Sequence, residues 1–359
     1  MNGKQLRAAQ MLVVANAFWG LSFPVMKAMQ LVHQPLLPAG SSWFVASSTI
    51  FVRFVLASLI MLLLSARTLY QLTRLEIGQG LGLGLFATAG LILQMDGLAY
   101  TSASTSAFLT QFYCLIIPVW VAISERRWPS KLTVACCLLV LAGVALLSEI
   151  VALNWSGTRA SLNTDWLRLG RGELETLLAS TIFTGQILWL QRPKFAPNNV
   201  NHFSLVMFAT ITVASLPAAV LTAGPALDWL APYRLGSVWV CTAVLTGFCT
   251  LGAYMLMNRW QPLLSATQAG LLYCLEPVFA SVFALFLPAW LSALAGIQYP
   301  NEQLGFGLIA GGSLITIANA LMSLGDRRAP ERNEPPEPRT PALTSLAAAM
   351  PVDNPEVRR

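Results

Sequence analysis

The sequence predicts an all-α membrane protein of ten transmembrane helices arranged as two inverted five-helix repeats. Three observations predict it. First, 55% of the 359 residues are hydrophobic and only 11% are charged, with a mean hydropathy of +0.62. Soluble domains carry about 25% charged residues, so this chain cannot cover a soluble surface. Second, apolar runs of the roughly 20 residues that hydrocarbon thickness demands recur at about 9–31, 46–66, 77–98, 102–123, 129–149, 173–192, 203–223, 237–258, 264–287 and 304–324. Third, two runs share a pattern. Thr110–Ala122, TQFYCLIIPVWVA, and Leu271–Leu287, LLYCLEPVFASVFALFL, place Pro118 and Pro277 alike, with Ile117 where the second run has Glu276. Five spans per half is an odd number, so the second copy must enter the membrane from the opposite side.

The first repeat, residues 1–150, opens on the basic MNGKQLRAAQ and continues apolar to about Val32. That run is too long for the h-region of a signal peptide, contains Lys27 and passes through Trp19 and Pro24, so it reads as a span. Only Ala99–Thr101 separates the third and fourth spans. The third begins GQGLGLGLFATAG and the tenth reads GFGLIAGG. Gly80 with Gly84, and Gly307 with Gly311, are small residues four apart of the kind that lets helices approach closely in lipid. Gly82-Leu-Gly84-Leu-Phe-Ala87 also fits a loose dinucleotide-binding pattern, but that turn needs a strand before it. Within a spanning helix, packing is the better reading.

Residues 151–171 form a polar external linker, and Asn154-Trp155-Ser156 within it matches a glycosylation acceptor that arises often by chance. The second repeat covers 172–325. Residues 326–359, with RRAPERNEPPEPRTP, are too rich in proline and charge to bury a core and are predicted to be a disordered cytoplasmic tail. Its arginines near the membrane are placed to touch anionic lipid.

Orientation follows the Lys/Arg bias of the loops. Lys4, Arg7, Arg67, Arg74, Arg126, Arg127, Lys131, Arg192, Lys194, Arg259 and six tail arginines fall on one side, against Arg159, Arg168, Arg171 and Arg234 on the other. Both termini are therefore expected in the cytoplasm. The net charge of +6 forms no basic face, so nucleic acid is not an expected partner. Cys114, Cys136, Cys137, Cys241, Cys249 and Cys274 lie in apolar runs without CxxC spacing and read as small buried hydrophobes. His33 and His202 stand alone near span ends, so no metal or cofactor is expected.

Four charges lie within spans: Lys27, Arg53, Asp96 and Glu276. Each costs at least ~3 kcal/mol at mid-membrane on insertion scales and must face the protein interior or a wet cavity. At ~1.5 Å per residue, Glu276 lies near the middle, Arg53 slightly above it, and Lys27 and Asp96 near the outer end. Two readings stay open. Arg53 or Lys27 pairs with Glu276 or Asp96 to hold helices together, or these groups bind a solute. Lys27 and Asp96 are also close enough to the interface to snorkel. The uncharged candidates are Trp19, Gln94, Tyr100, Thr110, Gln111, Tyr113 and Tyr273, because aromatic rings with polar tips suit a small amphipathic solute. Trp19 is mid-span, which favours packing or cavity lining; Tyr100 sits where an interfacial belt is expected. Phe279 and Phe283 read as core or lipid-facing.

Four segments carry a resemblance. FWGLSFPVMK (Phe18–Lys27), RFVLASLIMLLL (Arg53–Leu64), GLAYTSASTSAFLT (Gly97–Thr110) and LEPVFAS (Leu275–Ser281) resemble the drug/metabolite transporter superfamily, EamA type. The resemblance spans about 9–325. It implies a secondary transporter of a bacterial inner (plasma) membrane, an exporter of a small metabolite such as an amino acid, with a central cavity lined by both halves. One departure is plain: PAWLSALAGIQYPNE (Pro288–Glu302) stands where the family has a short Gly-Glu turn after the ninth span, so an altered outer mouth is expected.

The rival readings have less support in the residues. A nucleotide-sugar or phosphorylated-metabolite antiporter wants several basic groups in its cavity, and only Lys27 and Arg53 are available. A membrane enzyme needs a nucleophile–base set or paired carboxylates, and no histidine joins Asp96 and Glu276. A channel would show a ring of charge or a selectivity motif. A scaffold leaves the mid-membrane charges unexplained. Substrate identity, direction of transport, coupling ion and oligomeric state are not written in the sequence.

Overall fold

The computed structural model describes residues 3–37, 41–100, 109–126, 128–147, 170–223, 229–303 and 305–325, with Ser106 and two short strands. The tail and the glycosylation pattern fall outside the described residues, as does most of the 151–171 linker. Helices dominate: α1 (Gly3–Leu36), α2 (Ser42–Ser65), α3 (Arg74–Tyr100), α4 (Tyr113–Glu125), α5 (Lys131–Leu147), α6 (Arg171–Leu190) and α7 (Val200–Thr222). Then come α8 (Gly236–Leu263), α9 (Ala266–Tyr273), α10 (Glu276–Ala284), α11 (Leu287–Ala295) and α12 (Phe306–Gly325). The exception is a two-stranded antiparallel ribbon, β1 (Val151–Leu153) with β2 (Ala160–Leu162), inside the linker, where the sequence had predicted no strand.

By length and composition, α1, α2, α3, α7 and α8 can each cross a membrane, and α9 to α11 make a sixth if that bent chain counts as one span. The 34 residues of α1 run to ~50 Å at 1.5 Å per residue, more than the hydrocarbon core, so its ends project beyond it. Helix starts are closed by side chains. Ser41 accepts from Phe44 N at α2, Asn199 from Asn201 N at α7, and Ser265 with Gln268 forms a reciprocal box at α9.

Backbones approach closely where the glycine pattern predicted. A Cβ on Gly80 would stand 2.6 Å from Phe203 O, and one on Gly84 2.5 Å from the Thr210 Cβ, so α3 and α7 touch there with no room for a side chain. The other face of α3 packs on α6, α2 packs on α7, α5 on α12, and α1 on α8 and α10.

The predicted ninth span, 264–287, is broken. Pro277 has no N–H to give the carbonyl of Tyr273, and α9 ends there; after a turn at Cys274–Leu275, α10 begins at Glu276. Asn16 of α1 donates to Leu272 O beside the break at 3.1 Å. The sequence puts Pro118 in the equivalent run, and there the chain turns earlier, at Gln111–Phe112 before α4. The Cys114 carbonyl, four residues before Pro118, accepts instead from the Cys137 thiol at 3.3 Å.

The 288–302 insertion is an added helix. The chain bends by 60° into α11, which stops at Gly296 with φ 64°, and returns without regular secondary structure. Ser292 Oγ holds both Tyr299 N and Tyr299 O at 2.9 Å, and Asn301 Oδ1 accepts from Ala289 N. Glu302 N then donates to Ala284 O at 2.9 Å, so the insertion leaves and re-enters at one point beside the end of α10.

One sequence reading needs correction. His202 is not alone: its Nδ1 lies 3.2 Å from Glu76 Oε2 and its Nε2 3.0 Å from Thr68 Oγ1, joining the start of α3 to the start of α7. Its partner is hard to find in sequence because it lies more than a hundred residues away. His33 is buried too, its Nδ1 against Met29 O. The six cysteines are buried and free.

Candidate functional site

A cavity of about 80 Å³ lies between the two halves. Trp19, Ser22 and Met26 of α1, Arg53 of α2, Leu91 and Gln94 of α3, and Thr110 and Tyr113 at the head of α4 line it from the first half. Phe183, Gln186 and Ile187 of α6, Tyr254 and Met257 of α8, and Tyr273 and Glu276 across the α9–α10 break line it from the second. Seven sequence candidates therefore meet here: Trp19, Arg53, Gln94, Thr110, Tyr113, Tyr273 and Glu276.

Most polar groups of the wall are locked by neighbours. Gln94 Nε2 donates to Thr110 Oγ1 at 3.1 Å, and Thr110 Oγ1 donates to Ser106 O at 2.9 Å. Tyr273 OH donates to Gln261 Oε1 at 2.7 Å, and Gln261 Nε2 donates to Ile187 O. Trp19 stands edge-on between Tyr254 and Tyr273, with ring centroids 5.6 and 5.5 Å away. This wall is rigid, aromatic and mostly satisfied.

Arg53 owes its position to an irregularity in α8. Leu245–Gly252 is a π-helical stretch, in which Thr250 Oγ1 donates to Leu245 O five residues back and Ala253 N donates to Phe248 O. Arg53 Nε donates to Thr250 Oγ1, and Nη2 donates to the Cys249 carbonyl at 2.9 Å. Wide turns of this kind recur at functional sites because they present backbone groups that a regular helix keeps to itself. Arg53 Nη1 has no partner among the described residues.

Glu276 is the first residue of α10. Negative charge is favoured at a helix N-terminus by the exposed N–H groups and the helix dipole. Its carboxylate has no hydrogen-bond or ion-pair partner among the described residues. The structural pairing with Arg53, one of the two readings the sequence leaves open, is not formed among the described residues; Asp96, Glu175 and Glu76 make ion pairs with other partners. Glu276 and Arg53 face one cavity while held by different helices.

The remaining candidates lie elsewhere. Asp96 is fully buried and binds Arg171 Nη2 at 2.5 Å, not Lys27 or Arg53. Lys27 is half-buried and lines a separate cavity with Gln30, Gln34, Ser42 and Ala99. Tyr100 is half-exposed, but its hydroxyl reaches Ser42 Oγ and Arg171 Nη1, each at 2.8 Å, so it does more than sit in a belt. Gln111 is buried in the turn before α4, both amide atoms without a partner among the described residues, and is not part of the cavity wall. Sequence reasoning missed Phe183, Gln186, Tyr254 and Met257. No motif marks them, and the one signal was the Thr-Gly-Phe-Cys-Thr-Leu-Gly run that loosens α8 near Tyr254.

Residues 6–149 match the model of the EamA-like transporter family. Over 307 residues the chain is 25% identical to an uncharacterized transporter of Archaeoglobus fulgidus, an alignment covering 85% of this chain and 84% of that relative. A solved crystal structure of a protein matches at a TM-score of 0.62 and 16% identity, over 91% of this chain and 99% of the other, which shows a shared fold.

Proposed function

Residues 6–149 belong to the EamA-like transporter family, and from that premise we propose that this membrane transporter is a secondary exporter of a small zwitterionic metabolite such as an amino acid. The observation that carries the reading is the pair Arg53 and Glu276 on one cavity wall, opposite in charge and not neutralising each other. A solute ammonium would meet Glu276 and its carboxylate would meet Arg53 Nη1, with the apolar part of the solute against Trp19, Phe183 and Met257. Aromatic and apolar walls with a few convergent polar groups are the usual make-up of a small-solute site. A broken helix at the meeting of two repeats is the usual place for such a site in a transporter.

The finer architecture in this proposal is ten spans in two inverted five-helix repeats, working by alternating access. Its support is the pattern of helix contacts. With α9–α10 counted as one span and α11 left out, exchanging each span for the one five places on returns the same pairings: α2 with α7 and α5 with α12 map onto themselves, while α3 with α6 maps onto α8 with α1. The α9–α10 chain then corresponds to α4. The basic bias of the loops places both termini in the cytoplasm, and the membrane in this reading is a bacterial inner membrane.

Purified full-length protein in proteoliposomes tests the reading, by counterflow of radiolabelled amino acids alongside phosphorylated sugars. Uptake of one or more zwitterions that Glu276→Gln abolishes is the expected result. Uptake of phosphorylated solutes alone would overturn it in favour of an antiporter for phosphorylated metabolites.

A further inference from the structure

On the α6 side of the cavity one polar group stands outside the paired wall. Gln186 lines the cavity, is 4% exposed, and its Nε2 has no hydrogen-bond partner among the described residues. Of the residues lining the cavity, it is the one in which a buried side-chain nitrogen or oxygen is left so among the described residues. The uncharged groups around the same space are engaged. Ser22 Oγ donates to Trp19 O at 2.6 Å, Thr110 Oγ1 to Ser106 O, and Gln94 Nε2 to Thr110 Oγ1. A buried donor without a partner forfeits a full hydrogen bond, and an apolar side chain of the same length would fill the place without that penalty.

The direction of this amide follows from how α6 is held. On one side of Gln186, Ser180 Oγ donates to Thr110 O at 2.8 Å; on the other, Trp189 Nε1 donates to Gln79 O at 3.2 Å. These bonds fix the rotation of α6 against α3 and the head of α4. Phe183, Gln186 and Ile187, three and four residues apart, then share the face that lines the cavity. Phe183 and Ile187 offer apolar surface, and the amide is the polar point on that face.

The zwitterion reading places the two charged ends of the solute; the side chain is what remains to be recognised, and the inference rests on that reading. We propose that Gln186 determines specificity, selecting zwitterions whose side chain ends in an uncharged hydrogen-bonding group, a carboxamide or a hydroxyl. With the solute ammonium at Glu276 and its carboxylate at Arg53, Gln186 Nε2 donates to the oxygen of that side chain. The amide turns easily about its last torsion, so its oxygen can accept from a solute N–H or O–H in the same place. An apolar side chain would seal the amide from water with nothing to bond. A site built to hydrogen-bond a solute group discriminates strongly against the analogue that lacks it. A charged side chain fails for a different reason. Among the described residues, the charged ones lining the cavity are Arg53 and Glu276, and the zwitterion engages both, so a third charge would be buried uncompensated.

Counterflow into proteoliposomes of the full-length protein tests this with four radiolabelled solutes of similar length: glutamine, norleucine, glutamate and lysine. The parent should take up glutamine with a kcat/KM at least about tenfold above each of the other three, the scale of one unpaired buried amide. Gln186→Met keeps the length and removes the hydrogen bond, so uptake of glutamine should fall, that of norleucine should rise, and the preference should vanish. Glutamate and lysine should stay excluded by both proteins. Should Gln186→Met fail to reach the membrane, the ranking in the parent decides alone. Norleucine, glutamate or lysine carried by the parent as well as glutamine would overturn the proposal, as would a Gln186→Met protein of normal abundance that keeps the parent's preference. In each of those results an amino acid is still carried, so the transport reading stands. Uptake of none of the four also overturns the proposal, and phosphorylated solutes carried in their place would overturn the transport reading with it.

Discussion

The two charged regions of the bundle handle the same problem in opposite ways. Where α3 meets α6, Asp96 is fully buried and bound directly to Arg171. In the cavity, Arg53 is held by Thr250 and the Cys249 carbonyl of α8, while Glu276 rests at the head of α10 without a partner among the described residues. Each cavity charge is stabilised by neutral dipoles and not by the other charge. A direct ion pair glues helices and ties up both groups; charges held separately remain available to a third party. The contrast predicts that removing charge will damage stability in one region and function in the other.

The largest expected effect is on transport. Glu276→Gln keeps the shape of the side chain and strands no cation, because Arg53 has its own partners. Transport should fall at least about tenfold, the ~1.4 kcal/mol that one charge-assisted contact supplies, while abundance and Tm stay near those of the parent. The double change Arg53→Gln/Glu276→Gln should stay inactive. Recovery of transport in the double variant would show that the two residues act as a structural pair after all, and would erase the contrast.

Next in size is a loss of stability at the other region. Arg171→Met leaves Asp96 and Glu175 together without their cation, and breaking a buried pair typically costs ~3–5 kcal/mol. Arg171 itself is 46% exposed, so the lower end of that range is expected, read as a fall in Tm and in membrane abundance. Arg171→Lys should recover only part, since one ammonium cannot fork to Asp96, Glu175 and Tyr100 at once. An Arg171→Met protein as stable as the parent would make the outer pair no more structural than the cavity charges.

A packing change on the same helix separates charge from stability in general. Gly80→Val puts a Cβ 2.6 Å from Phe203 O, an overpacking cost of roughly 1–3 kcal/mol. Transport should fall only in proportion to abundance. Loss of transport per folded molecule would mean that the cavity senses α3–α7 packing, and Glu276→Gln would then need the same control.

Much of this arrangement was legible in the sequence, and what was not has a physical reason. Composition and run length locate the five helices long and apolar enough to cross a membrane, and the bent α9–α11 chain, because lipid leaves the backbone few alternatives to helices. Pro277 announced the break, and Glu276 announced the cavity, since both are too costly to sit in lipid without cause. Gly80 and Gly84 announced the α3–α7 contact. Partner choice was not legible. Whether Asp96 meets Lys27, Arg53 or Arg171 depends on helix rotation and on which helices adjoin, and neither is set by local residue types. The π-helical stretch of α8 was likewise hidden, because Gly247 and Gly252 permit a wide turn without demanding one. Gln111 shows the converse error: a polar residue in the right run, yet buried in a turn beside the cavity and not on its wall.

The smallest expected effect tests whether Arg53 is positioned for a solute or simply accommodated. Thr250→Val keeps the shape and removes the oxygen that accepts from Arg53 Nε, while the Cys249 carbonyl still accepts from Nη2. One hydrogen bond to a charged group is worth ~1.5–3 kcal/mol when lost outright. The guanidinium is still anchored by Cys249 and can turn its freed N–H toward the cavity, so the net change should be nearer ~1 kcal/mol. That corresponds to a few-fold rise in the half-saturating concentration of the transported zwitterion, with little change in Tm. Thr250→Ser, which restores the oxygen, should return the parent value. If Val and Ser variants behave alike, Thr250 does not aim Arg53, and the cavity reads its solute through Glu276 and the aromatic wall alone.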